Sequence, residues 1–117
     1  MITNFEKLTF ELTENEMKIV PLLIRGFENY TEKNPIKEPD IVKRFNDRNS
    51  EVKLTGVRLR KIVNYIRVNG LLPLIATSKG YYVSYNKEII LSQIKSLNQR
   101  AISIHNCANG LESFLQR

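Results

Sequence analysis

The stretch TGVRLRKIVNYIRVNG, residues 55–70, decides the fold. Leu59, Ile62, Val63 and Ile66 recur at i, i+3, i+4 and i+7, the spacing of one buried helical face. Thr55 supplies an N-cap, and Asn69-Gly70 supplies a stop, with glycine free to take the left-handed conformation that ends helices. The spacing therefore predicts a helix over about 56–69. Val57, Arg58, Arg60, Lys61, Asn64 and Tyr65 fall on the side opposite the apolar stripe. The face turned from the core is expected to be basic, with one amide and one aromatic ring. Arg67 lies nearer the core edge and suits a snorkelling or carbonyl-capping role.

Downstream, Leu72 to Ala76 and Tyr81 to Tyr85 are short apolar segments around Thr77-Ser78-Lys79-Gly80, the pattern of a hairpin with Lys79 at its tip. Pro73 belongs at a strand start or an edge. Upstream, Leu8, Phe10 and Leu12 alternate as an extended lead-in. Thr13 and Glu16 form a capping box, and Leu12 and Met17 are placed as a hydrophobic staple. Met17, Val20, Ile24 and Phe27 predict a first helix over about 14–29, with Pro21 inside it. Ile36 is the one apolar anchor of a polar connection and suits a short bridging strand. Pro39 fits the first position of a second helix that runs through Ile41, Val42 and Phe45 to about Asp47. Asn46 to Ser50 is turn chemistry.

The charge points to the same region. The chain has 117 residues and a formal net charge of +6. Residues 1–52 hold eight basic and ten acidic side chains. Residues 53–87 hold Lys53, Arg58, Arg60, Lys61, Arg67, Lys79 and Lys87 with no acid, a net +7. Residues 88–117 add only +1. A solvated face usually mixes signs, so a one-sign segment suggests a polyanionic partner. An ordinary basic surface is the plainer alternative.

The order helix, helix, helix, hairpin, long helix is that of a mainly α protein with a small β-hairpin (α+β), a winged helix-turn-helix with a long C-terminal helix. In that arrangement the third helix enters the major groove of double-stranded DNA and the hairpin rides on the backbone. The expected organisation is a DNA-binding domain over 1–86 and a C-terminal helix over 87–117. The candidate DNA contacts are Thr55, Val57, Arg58, Arg60, Lys61, Asn64, Tyr65 and Lys79. Asn can read adenine, and Arg or Lys can read guanine. The same side chains can equally bind phosphate, which carries no sequence information. Lys79 suits phosphate or the minor groove, or is simply a solvated loop lysine.

The run from Val57 to Arg67, then Asn69-Gly70, Leu74-Ile75-Ala76 and Lys79-Gly80-Tyr81-Tyr82, resembles the small winged-helix proteins of bacteriophages and prophages. The resemblance extends from about Leu12 to about Ile104. It implies DNA binding and a phage or mobile-element origin; the leading functional reading is a transcriptional regulator or replication accessory. It carries no operator and no catalytic set.

The last helix opens at Asn86. Ile90, Ile94, Leu97, Ala101, Ile104, Ala108, Leu111 and Leu115 are spaced 4-3-4-3-4-3-4, a continuous heptad seam. Asn109-Gly110 should end or bend the helix, which leaves 87–108 as its secure part. The seam has two readings: a two-chain coiled coil, making the protein a homodimer, or a helix folded back on its own domain. A third use is as a docking surface, with the chain an adaptor that has no DNA affinity of its own.

Enzyme chemistry finds little support. Pro39-Asp40 followed by Glu51-Val52-Lys53 matches a divalent-metal nuclease pattern, but that chemistry needs its carboxylates on adjacent strands. Asp40 instead opens a helical pattern. His105 and Cys107 are the sole residues of their types, so they form neither a dyad nor a metal site. The five glycines are isolated, so no phosphate-cradling loop and no cofactor are expected. A single cysteine excludes an intrachain disulfide framework. No apolar run reaches membrane-span length, and residues 1–10 carry no signal pattern, so a cytoplasmic protein with no membrane partner is expected.

Overall fold

The computed structural model describes residues 11–49 and 51–116. The chain divides into two compact units, Met1–Ser84 and Tyr85–Arg117. The expected alternation at Leu8 and Phe10, and the Ser50 end of the predicted turn, lie outside the described residues.

In the first unit, the Thr13 hydroxyl accepts from the Glu16 amide at 3.2 Å, and the Glu16 carboxylate accepts from the Thr13 amide at 2.9 Å. This reciprocal cap starts helix α1, Glu14–Phe27. Its buried face is Glu16, Ile19, Val20, Leu23 and Phe27. The stripe is thus rotated from the expected Met17, Val20, Ile24 and Phe27. Met17 is 43% exposed and Ile24 only partly buried. The reason is that a carboxylate occupies the first inward position, which a count of apolar residues passes over. The helix runs through Pro21, whose missing amide lies on the exposed side.

Ile36 makes the expected bridge. Its amide donates to the Tyr81 carbonyl at 2.9 Å, and the Tyr81 amide donates back at 2.8 Å. Helix α2, Glu38–Arg48, follows, with Pro39 second rather than first in it. The Asn46 side chain then clamps Leu54, donating to its carbonyl at 2.9 Å and accepting from its amide at 2.8 Å. That two-point clamp seats Leu54 with 0% exposure and sets the entry to the next helix.

Helix α3, Gly56–Val68, buries Leu59, Ile62, Val63 and Ile66, as its spacing requires. The Thr55 hydroxyl caps it by accepting from the Arg58 amide at 3.2 Å. At its other end Gly70 sits at φ +61°, the Leu71 amide donates to the Ile66 carbonyl, and the Gly70 amide donates to the Arg67 carbonyl. These are the two bonds of a Schellman termination.

Strands β1, Leu74–Thr77, and β2, Gly80–Val83, pair antiparallel, with Leu74 opposite Val83 and Thr77 opposite Gly80. The connection is therefore the two residues Ser78 and Lys79 rather than the four expected. Gly80 is required twice over. Its φ is +128°, and a Cβ there would stand 2.5 Å from the Ile36 carbonyl oxygen. The unit's core joins all three helices with Ile36, Leu54, Leu72 and Leu74. Phe27 meets Tyr81 edge to face at 5.9 Å.

The second unit is helix α4, Lys87–Glu112, with a short 3-10 turn, Ser113–Gln116. The Asn86 side chain caps it, accepting from the Glu88 and Ile89 amides. The helix does not stop at Asn109-Gly110. One interior glycine costs about 1 kcal/mol relative to alanine, too little to break a helix of 26 residues. None of its residues is buried. Along its seam Ile90 is partly exposed, and Leu97 is 38%, Ile94 47%, Ile104 68% and Leu111 72% exposed. Among the described residues the molecule is mainly helical, with four α-helices and one two-stranded antiparallel sheet, and no helix is long and apolar enough to cross a membrane.

Candidate nucleic-acid interface

Helix α3 packs against both α1 and α2, and both neighbours bring carboxylates to its basic side chains. Glu16, first in the buried stripe of α1, has a side chain only 4% exposed. It accepts from the Lys61 ammonium at 2.8 Å, and its second oxygen lies 3.9 Å from Nε of Arg58. Glu38, in the first turn of α2, accepts from Arg60 at 2.9 Å. Gly56 makes room for that carboxylate: a Cβ on residue 56 would come within 2.6 Å of Glu38 Oε1.

These pairs correct the expected face of α3. Lys61 was expected to project into solvent; its side chain is 11% exposed and spent on Glu16. Tyr65, also expected on the free face, is partly buried and packs against the core. Placing residues around α3 by its apolar stripe alone leaves out how far the flanking helices reach round it. Arg58 is half-turned inward, its guanidinium donating to the Lys53 carbonyl at 2.8 Å. Arg60 keeps a 60% exposed side chain despite its partner. Val57 is 63% exposed, Thr55 is exposed, and Asn64 is partly exposed. Arg67 is partly buried in the last turn of α3. Lys79 stands exposed in the hairpin loop, its backbone amide held by the Thr77 hydroxyl at 3.2 Å. Val57, Arg60 and Asn64 therefore stay at least partly accessible along α3, Thr55 is exposed at its N-cap, and Lys61 is withdrawn.

Burial pushes the Glu16 carboxyl up. The Lys61 hydrogen bond and charge, with the Thr13 amide, outweigh it and hold Glu16 below the ordinary carboxylate value. In β2, burial raises the Tyr81 hydroxyl, with Glu38 adding to the effect and Arg67 and Arg60 opposing it.

Asp40 lies in the first turn of α2 and Glu51 in a bend after it, so the two are not on adjacent strands. Among the described residues no group of three His, Cys, Asp or Glu side chains could hold a metal ion. Sequence reasoning missed Glu38 as the partner of Arg60, the Asn46 clamp, and the second role of Glu16. Only Glu16 carried a signal, its place in the capping box. Set against protein-family models, curated proteins and solved structures, the chain matches none.

Proposed function

We propose that the protein binds double-stranded DNA as a winged helix, with α3 entering the major groove and the β1–β2 loop acting as the wing. The observation that carries this reading is the accessible set Val57, Arg60 and Asn64 on α3, with exposed Thr55 at its N-cap and exposed Lys79 in the hairpin loop. It lies in a segment, residues 53–87, that contributes no acid of its own. The Ile36–Tyr81 bridge supports the winged reading by tying the hairpin to the connection between α1 and α2. Arg60 and Asn64 carry groups able to read bases, Val57 suits a thymine methyl, and Lys53 and Lys79 suit phosphate. Lys61 takes a positioning role through Glu16 instead of a contact. The biological setting that fits is a regulator or replication accessory of phage or prophage type, with no catalytic step and no cofactor.

The open heptad seam of α4 supports a homodimer, because a second copy would cover apolar side chains otherwise left in water. The same seam favours one other reading, an adaptor that binds a partner protein through α4. Titration of duplex DNA across a salt series separates the two. With about four phosphate contacts per protomer, log K against log salt should fall with a slope of roughly −3 to −4. Absence of DNA binding at low salt would remove nucleic acid as the partner.

A further inference from the structure

Between α2 and the C-terminal half of α1 lies a cleft of about 610 Å3. Small-molecule sites span roughly 300–1,000 Å3. Its lining is apolar over Leu22, Phe27, Ile41 and Phe45, and three guanidiniums border it, from Arg25, Arg44 and Arg48. Among the described residues no carboxylate lines it. Its two side-chain amides are already engaged: Asn29 donates to the Arg25 and Gly26 carbonyls, and Asn49 to the Phe45 carbonyl.

The arginines are differently placed. Arg44 donates to the Tyr30 hydroxyl and lies over the Tyr30 ring, 5.9 Å from its centroid. One of its five N–H donors is used and the fork is held in place. None of the three has a carboxylate within ion-pair reach among the described residues. Arg25 and Arg48 stand in the last turns of their helices, where a cation offsets the helix dipole. Each helix end carries only about half a negative charge, so three guanidiniums leave the mouth of the cleft positive. Dipole compensation also gives no reason for Arg44 or for the apolar hollow beneath it. Gly26 lines the cleft, and a Cβ there would meet nothing within 4 Å.

We propose that this cleft binds a small organic acid, its apolar body lying along Leu22, Phe27 and Phe45. Its carboxylate is held by Arg44 and Arg48, one turn apart on α2, together with Arg25 from α1. Guanidinium forks match carboxylate geometry, and the apolar floor selects against small hydrated anions. The site is independent of the DNA reading.

Calorimetric titration of the full chain with decanoate, with decanol and acetate in parallel, tests it. Decanoate should bind, decanol at least about tenfold more weakly for want of the charge-assisted bonds, and acetate not measurably. Gly26→Leu should fill the cleft and abolish decanoate binding, with the thermal midpoint kept or raised, since leucine favours helix over glycine. Arg48→Gln, an exposed change, should weaken decanoate about tenfold without unfolding the protein, which keeps the test decisive if Gly26→Leu fails to fold. Equal affinity for decanol and decanoate, undiminished binding in Arg48→Gln, or no decanoate binding by the folded chain would each overturn the proposal.

Discussion

The face of α3 and the cleft between α1 and α2 carry opposite lessons about charge. Helix α3 belongs to a segment with seven cations and no acid, yet Arg58, Arg60 and Lys61 each have a carboxylate within 4 Å. The cleft belongs to a segment with more acids than bases, yet Arg25, Arg44 and Arg48 border an apolar hollow that, among the described residues, no carboxylate lines. Helix packing redistributes charge across segments. Glu16 is 45 residues from Lys61 in the chain and 2.8 Å from it in space. A linear count therefore measures how much charge a segment holds, and packing decides how much of it a partner meets.

The largest effect expected from this contrast is on stability. Lys61→Ala leaves the buried Glu16 carboxylate with the Thr13 amide at 2.9 Å and Arg58 Nε at 3.9 Å, and without its one close cation. Orphaning one partner of a buried pair costs 3–5 kcal/mol when both are fully buried; with Lys61 11% exposed, about 2–3 kcal/mol is expected. Chemical denaturation measures it. A change under about 0.5 kcal/mol, the usual value for a free surface side chain, would return Lys61 to the solvent face.

A smaller effect follows with pH. Glu16 titrates lower in the folded chain than the ordinary value of 4.5. The folded state therefore binds its proton less readily than the unfolded state. The resulting stabilisation is complete above the unfolded value and is lost as pH falls through the depressed folded value. In Lys61→Ala this acid sensitivity should shrink or reverse, because burial then dominates the carboxyl. Denaturation midpoints collected between neutral pH and pH 3 would show whether the two proteins converge on acidification, as expected, or keep a constant separation.

The smallest expected effect concerns Glu38. Its pair with Arg60 lies at the surface, with side chains 29% and 60% exposed, and surface pairs contribute about 0–1 kcal/mol. Glu38→Gln should leave the thermal midpoint nearly unchanged while tightening DNA binding several-fold at low salt, since it removes a negative charge beside an outward-facing guanidinium. Weaker DNA binding in this variant would mean that Glu38 holds Arg60 in its reading position.

Much of the fold was legible because its signals are local. The Thr13–Glu16 cap, the Thr55 cap, the stop at Asn69-Gly70 and the stripe from Leu59 to Ile66 each follow from a few neighbouring residues, and Ile36 stood out as the lone apolar residue of a polar connection. What escaped depended on partners distant in sequence. A buried Glu16 is invisible to a hydrophobic pattern, so the face of α1 was rotated by one position. The wheel of α3 placed Lys61 and Tyr65 outward because it took no account of the width of α1. The cleft had no signal at all: Arg25 and the Arg44–Arg48 pair belong to different helices, and only packing brings them to one mouth. Gly110 does not end α4, because the cost of one glycine is small against a helix of 26 residues.

The most direct measurement compares Lys61→Ala with Lys79→Ala in duplex-DNA titrations over a salt series, at a temperature where both are folded. The winged-helix reading requires that Lys79→Ala reduce the salt slope by about one unit per protomer, while Lys61→Ala leaves it unchanged despite its loss of stability. The reverse pattern, a reduced slope for Lys61→Ala and an unchanged one for Lys79→Ala, would contradict it, placing the buried-pair lysine on the DNA and the hairpin away from it.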